Sequence, residues 1–183
     1  KTALASDLNA LRGSENSAEG GFDMKRTILL LGDPELYEVS EEVKIEELQQ
    51  MKQVQEDLKD TLLAFRARYG TGRAIAAPQI GVKKRVIYRH LDTPVLFINP
   101  RLSFPEQDMI DVLDDCMSFP DLLVRVKRHK RCIIYYKDLD WNDCSMELEG
   151  DMSELIQHEY DHLDGILATL RAVDERALVM KPH

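Results

Sequence analysis

Two histidines and one glutamate are the residues whose types and spacing most clearly allow chemistry. His158 and His162 are four positions apart, and Glu159 directly follows the first of them. Residues four apart lie one above the other on a helix, so the two imidazoles can bind one ion at about 2.0–2.1 Å. Glu159 would lie beside that ion, where a carboxylate can accept and return a proton during hydrolysis. The motif predicts a mononuclear metal hydrolase, and the alternative is an exposed helix with two unrelated histidines.

A catalytic metal site usually needs a third protein ligand, and its origin separates the families that share this motif. The metzincin pattern requires a histidine at position 168, which is alanine here. The segment after His162 contains a single glutamate, Glu175. It is too short to leave much room for a later helix that would supply a glutamate ligand, as in a thermolysin-like enzyme. The third ligand is therefore expected upstream, where a cysteine thiolate would suit a borderline metal ion.

The three cysteines differ in their surroundings. Cys132 lies in a strand-like run and Cys144 in a polar turn, whereas Cys116 lies in a mixed loop-like stretch, residues 114–120. We predict Cys116 as the third ligand, and a buried core cysteine is the alternative. The cysteines form no CxxC pair and are odd in number, so a disulfide framework is not expected and a reducing compartment, the cytoplasm or an organelle, fits better.

Composition narrows the class of protein further. A formal charge of −9 over 183 residues argues against a broad nucleic-acid surface. The basic strip Arg125–Arg131 is interpreted as a solvated strand edge, and a local nucleic-acid contact is the alternative. No apolar run is long enough to cross a membrane, so a soluble protein without a membrane partner is expected. Residues 1–23 are predicted to be a disordered tail or a cloning leftover, and residues 24–183 a single catalytic domain.

Hydrophobic spacing predicts the elements that must position these side chains. Apolar residues recur at steps of three and four over residues 44–68, which predicts one long amphipathic helix ended by Gly70. A loop rich in glycine and alanine is expected over residues 70–81. A second helix is expected from about Asp151, with Glu154 completing a capping box, to about Gly165. Strand-like runs lie at residues 85–89, 95–98 (closed by Asn99-Pro100) and 130–137. Strands from several regions with two helices indicate an α+β fold.

Three ordered segments resemble the signature motifs of the peptide deformylase family. Residues 72–79, GRAIAAPQ, resemble the family's GxGxAAPQ, and residues 114–118, DDCMS, resemble its EGCLS. Residues 157–162, QHEYDH, match QHExDH without a departure. The order and the intervals also agree, and the resemblance covers approximately residues 24–170. Three ordered motifs are far more specific than the histidine motif alone.

The resemblance implies an activity, a fold and roles for individual residues. The activity is removal of the N-formyl group from the initiator methionine of new polypeptides, with release of formate. The fold is α+β, with small mixed or antiparallel sheets around a central helix that carries the histidines and one long N-terminal helix. Cys116, His158 and His162 would hold one divalent ion, natively Fe²⁺, which Zn, Ni or Co can replace.

Further roles follow from the same resemblance. Glu159 and Gln79 would be catalytic, with Gln79 and the backbone N–H of Met117 donating to the oxyanion, and Gly72, Arg73 and Ala74 would bind substrate. A monomeric cytoplasmic protein is expected, with N-formylmethionyl peptides as partners and a transient ribosome contact.

Two departures from the family motifs bear on the substrate. Ala74 replaces the second glycine of the first motif, and Arg73 stands at a position that is usually apolar. Asp114 and Asp115 replace Glu-Gly before the cysteine, which adds a charge that disfavours the thiolate unless a metal ion or another cation offsets it. We expect metal binding to be kept and substrate preference or rate to change. The alternatives are a divergent member acting on another acylated amine or catalytically weak, an HExxH endopeptidase and a metal-binding module.

Overall fold

The computed structural model describes residues 25–182. The predicted tail therefore lies outside the described residues, and the proposed single domain stays a prediction. Two helices, α1 (Leu48–Tyr69) and α2 (Asp151–Leu163), accompany eight strands. The strands are β1 (Ala74–Ala76), β2 (Val86–Arg89), β3 (Val95–Ser103), β4 (Met109–Asp115), β5 (Leu122–His129), β6 (Arg131–Lys137), β7 (Asp143–Glu149) and β8 (Leu178–Met180).

The strands form two antiparallel sheets. One has five strands in the order β1-β2-β3-β6-β7, and the other has three in the order β4-β5-β8. Alternate residues of β2 face opposite sides of the larger sheet: Val86 packs in the cluster that contains Leu62 of α1, and Ile87 in the cluster that contains Ile156 of α2. These features confirm the predicted α+β fold with antiparallel sheets and one long helix.

Helix α1 forms as its apolar spacing predicts. Met51, Leu58 and Leu62 are fully buried on one face. The helix begins later than predicted because Ile45–Glu47 form a 3₁₀ turn, in which the Glu47 carboxylate accepts a hydrogen bond from the Lys44 backbone N–H at 2.7 Å. It ends at Gly70, whose φ of 69° is the left-handed conformation expected of a C-terminal glycine.

Three predictions about the strands are wrong. Asn99-Pro100 does not close β3, which continues to Ser103 with a register shift after Ile98. The Asn99 side chain supports the positive φ of its own residue by hydrogen bonds to the backbone N–H and C=O of Val43, both 2.8 Å. Cys144 belongs to β7 and not to the preceding turn. The loop predicted over residues 70–81 contains the short strand β1 and a 3₁₀ turn, Ala77–Ile80.

The apolar run Arg26 to Leu31 forms no regular element, yet it holds two site segments together. The Leu29 N–H donates to the Gln79 carbonyl at 2.8 Å, and the Leu31 N–H donates to the Ser118 carbonyl at 2.8 Å. The first and second motifs are thereby tied to one extended segment.

Helix α2 begins at Asp151 as predicted, but its first turn is capped differently. Gly150, with φ of 57°, precedes its first residue, Asp151, and no side chain caps the helix. The predicted capping box is therefore wrong, and Glu154 instead reaches Arg73 at 3.2 Å. Asp151 within the first turn still interacts favourably with the helix dipole. No helix among the described residues is both long and apolar enough to cross a membrane.

Candidate metal centre

The three predicted ligands meet at one point in the structure. Cys116 directly follows β4, while His158 and His162 lie one turn apart on α2, and all three are buried. The Cys116 Sγ is 3.3 Å from the His162 Nε2, which is 3.2 Å from the His158 Nε2. The donor atoms of the set all lie within 4.8 Å of one another. Two donors bound at about 2.1 Å with a tetrahedral angle lie roughly 3.4 Å apart, so this set fits one tetrahedral ion.

Asp114 orients one of the histidines. Its Oδ1 lies 2.7 Å from the His158 Nδ1, so the Nε2 faces the other donors. A carboxylate behind a ligand imidazole fixes the ring and its tautomer. Burial lowers the pKa of His158, but the neighbouring Asp114 and Cys116 raise it by more. The pKa of His158 therefore lies well above its usual value. Burial and the neighbouring His158 hold the pKa of His162 well below its usual value.

A buried chain of ion pairs continues from Asp114 away from the centre. The Arg128 guanidinium, 3% exposed, contacts Asp114 at 2.7 Å and also contacts Asp161 on α2. Arg171 binds the same Asp161 carboxylate with two hydrogen bonds, 2.9 and 2.7 Å. Burial opposes the charge on Arg128, but the two carboxylates raise its pKa. The interpretation of the basic strip Arg125–Arg131 as a solvated strand edge is thus wrong for Arg128, which is buried.

Side chains of β5 alternate between the two faces of the sheet, which explains why Arg128 is buried. Val124, Val126 and Arg128 alternate along the strand and face inward, whereas Arg125 and Lys127 are exposed. This alternation is visible in the sequence, and it was the available signal that Arg128 belongs to the interior.

Glu159 lies beside the donor set and is itself buried, 4% exposed. Its Oε2 has no hydrogen-bond partner among the described residues. Burial raises the pKa of Glu159 to about 7. A buried carboxyl group of this kind can both bind and release a proton near neutral pH.

The two proposed oxyanion donors, the Gln79 side-chain amide and the Met117 backbone N–H, also lie beside the metal ligands. The Gln79 side chain is fixed by a hydrogen bond that its Oε1 accepts from the Ala76 N–H at 2.9 Å. Its Nε2 lies 3.5 Å from the Cys116 Sγ and 3.3 Å from the Ser118 Oγ. Among residues 25–182, the backbone N–H of Met117 donates to no acceptor. The Gln79 amide therefore lies beside the Cys116 thiol, and the Met117 N–H remains available to a ligand.

The first motif forms one wall of a cavity in front of the centre. Gly72, Arg73 and Ala74 line it together with Glu159. Gly72 has a φ of 120°, which L residues rarely adopt, so glycine is favoured there, and an added Cβ would also lie 3.2 Å from the Leu62 Cδ1. The structure thus brings the three predicted substrate-binding residues to the centre.

The extra carboxylate before the cysteine has a cationic partner. Asp115, the last residue of β4, has an extended backbone that does not require glycine. Its Oδ2 lies 3.1 Å from the Lys181 Nζ and 3.5 Å from the Thr71 Oγ1. Lys181 supplies the offsetting cation that the sequence left unidentified. Asp114, Arg128, Glu154 and Lys181 are the residues near the centre whose contacts sequence reasoning missed.

Known proteins match this chain over most of its length. The family model described as polypeptide deformylase matches residues 25–177. The peptide deformylase of Dictyoglomus thermophilum is 34% identical over 154 residues, which cover 83% of this chain and 95% of the relative. That of Maricaulis maris is 38% identical over 152 residues, which cover 78% and 82%. A Brucella melitensis protein named peptide deformylase-like is 35% identical over 144 residues, covering 77% and 84%.

A solved structure agrees with the fold as well. The crystal structure of peptide deformylase from Thermotoga maritima has a TM-score of 0.74 at 29% identity and covers 82% of this chain and 99% of its own. Because the family model spans more than half of the chain and relatives exceed 30% identity, this chain belongs to the peptide deformylase family of hydrolytic enzymes.

Proposed function

We propose that this chain hydrolyses the N-formyl group of N-formylmethionyl peptides and releases formate and a free amino terminus. The observation that carries the proposal is the buried convergence of Cys116, His158 and His162, within 4.8 Å of one another, with the buried Glu159 beside them. A structural ion would not need a glutamate next to its ligands, whereas hydrolysis of an amide requires a group that moves a proton.

Cys116, His158 and His162 would hold one divalent ion. When bound, such an ion polarises a carbonyl oxygen and lowers the pKa of water. Glu159 accepts a proton from the attacking water and delivers it to the leaving amine nitrogen, a task that suits a carboxyl group with a pKa of about 7. The Gln79 amide and the Met117 backbone N–H donate to the oxygen on which negative charge develops.

Fe²⁺ is our proposal for the native ion. One thiolate with two imidazoles accepts several first-row metals, with availability deciding which is bound. Protein purified without oxygen and analysed for metals should contain Fe as the main ion. A preparation that holds only Zn under these conditions would contradict Fe²⁺ while leaving the hydrolase proposal intact.

We propose a monomer that acts in the cytoplasm on new polypeptides and contacts the ribosome transiently. The three described cysteines are all free thiols, which is consistent with a reducing compartment. Sedimentation with translating ribosomes and size-exclusion chromatography would check the contact and the monomeric state.

Replacement of Glu159 by Gln tests the hydrolase proposal. Glu159→Gln keeps the size of the side chain but cannot take up a proton, so formate release from formyl-Met-Ala should fall by about 10²- to 10⁴-fold. Metal content should stay unchanged. Glu147→Gln, at an exposed position of β7, should keep full activity. Unchanged turnover by Glu159→Gln, or no formate release by the metal-loaded wild type, would overturn the proposal.

A further inference from the structure

An ion pair between Arg73 and Glu154 crosses the wall of the cavity in front of the centre. The Arg73 Nη2 lies 3.2 Å from the Glu154 Oε2, and both residues line the cavity. Glu154 is four residues before His158, so it lies one helical turn from a metal ligand and on the same face of α2. The Arg73 backbone carbonyl accepts the His90 N–H at 2.9 Å, which holds the other side of the pair in place.

The Glu154 carboxylate is partly buried and has one hydrogen-bond donor among the described residues. Its side chain is 13% exposed, against 38% for Arg73. Within residues 25–182 its only hydrogen bond is the long one from Arg73, so its Oε1 is left without a donor. Burial, helped by the nearby Asp114, raises the pKa of Glu154. A buried carboxylate is stabilised by additional hydrogen-bond donors, and the cavity is the side from which a ligand could supply one.

The apolar part of the wall does not discriminate between polar and apolar side chains in this way. Phe65, Met117 and Leu155 offer apolar surface that accepts the methylene groups of any long side chain. A methionine side chain that fills the cavity has no N–H donor, so it would shield Glu154 from water without replacing the lost hydrogen bonds. A glutamine side chain has nearly the same length and carries an amide N–H₂ group that can donate to Glu154.

We propose that the Arg73–Glu154 ion pair determines side-chain specificity, so that this site accepts polar side chains with N–H donors beside the acylated amine as well as methionine. This inference rests on the proposed function, since it concerns the substrate of the same site. The physical reason is that a site with a buried acceptor favours ligands that can donate to it, and an apolar wall does not.

The test compares two substrates of similar size, formyl-Met-Ala and formyl-Gln-Ala. In the wild type, kcat/KM for the two should agree within about tenfold. In the double variant Arg73→Leu/Glu154→Leu, the ratio in favour of formyl-Met-Ala should rise by about 10- to 100-fold. A ratio that changes by less than about threefold in the double variant would overturn the inference.

Controls separate specificity from folding and from loss of activity. Arg131→Leu/Glu106→Leu removes an exposed ion pair of the same type, 2.8 Å, outside the cavity lining and should leave the ratio unchanged. Metal content and melting temperature show whether each variant is folded. Should the double variant not fold, the wild type decides alone, because a preference above about 100-fold for formyl-Met-Ala contradicts the inference.

A binding measurement keeps the two proposals distinct. Calorimetry with the product dipeptides Met-Ala and Gln-Ala requires no turnover. If the wild type releases no formate from either formyl peptide, the proposed function fails, and the ratio of the two Kd values still tests the cavity. Comparable Kd values support the role of the ion pair, and a Kd for Gln-Ala about 100-fold weaker than that for Met-Ala overturns it.

Discussion

Asp114 contacts a ligand imidazole on one side and a buried guanidinium on the other. Its distances to the His158 Nδ1 and to the Arg128 Nη2 are both 2.7 Å. In the sequence this residue differs from the family motif only by the length of its side chain, so it adds no charge to the motif. In the structure, Arg128 neutralises the Asp114 carboxylate, which positions a ligand. The motif spacing predicted the ligands, whereas this support depends on β5 lying beside β4, which spacing alone does not predict.

Replacement of Asp114 by Asn should weaken metal binding. The amide cannot fix His158 as the carboxylate does, so we expect metal affinity to fall by about 10- to 100-fold. Competition with a chelator of known affinity measures the change. Asp111→Asn, an exposed position on the same strand, should have no effect. An unchanged affinity in Asp114→Asn would contradict the role assigned to the carboxylate.

Replacement of Arg128 by Met should destabilise the protein strongly. Two carboxylates, of Asp114 and Asp161, would remain buried without their shared cation, which costs about 3–5 kcal/mol of unfolding free energy. Arg125→Met, on the exposed face of the same strand, should change it by less than about 0.5 kcal/mol. Urea unfolding measures both. Similar losses in the two variants would show that the buried ion-pair chain does not stabilise the fold.

At the scale of elements, the end of α2 is fixed by a close backbone contact. A Cβ on Gly165 would lie 2.5 Å from the Tyr37 carbonyl oxygen, and the φ of Gly165 is 70°. The segment before α1 therefore packs directly against the turn that follows His162. The sequence marks Gly165 as a helix end, but the contact with Tyr37 joins segments far apart in the chain and cannot be predicted from local patterns.

The variant Gly165→Ala should lose about 2–4 kcal/mol of unfolding free energy, because it adds a backbone overlap to an unfavourable φ. Gly70→Ala is the matched comparison, since φ there is 69° but no atom lies within 4 Å of the added Cβ. It should lose about 1 kcal/mol. Thermal or urea unfolding compares the two, and equal losses would show that the Tyr37 contact is unimportant.

Local patterns predicted some elements well and others poorly, for physical reasons. The apolar repeat of α1 was sufficient because one face of a long helix must pack on a core, and Gly70 marked its end. The bulge at Asn99 and the short strand β1 were missed because pairing with β6 and β2 overrides the local preferences of proline, glycine and alanine. The start of α2 at Asp151 was predicted correctly, and only the capping box is wrong, because Glu154 contacts Arg73 and caps no backbone group.

At the scale of the whole molecule, the centre joins parts of the chain that are distant in sequence. Cys116 follows a strand of the smaller sheet, and both histidines lie on a helix packed against the larger sheet. A bound ion would therefore link the two sheets through three side chains. The sequence predicted which residues converge because only a few side chains of suitable chemistry are present. Of the cavity walls it predicted the first motif, but not those that come from α1, from Glu154 and Leu155 of α2 and from the segment around Lys181.

The metal content of Cys116→Ser tests the central claim most directly. The buried Cys132, which packs in the core cluster of the larger sheet and is not part of the donor set, provides the matched control Cys132→Ser. Both proteins should be purified without oxygen and analysed for metal per chain. We predict that the wild type and Cys132→Ser bind close to one ion per chain and that Cys116→Ser loses most of it. Equal metal content in Cys116→Ser and the wild type would contradict a centre built from this thiolate and the two imidazoles.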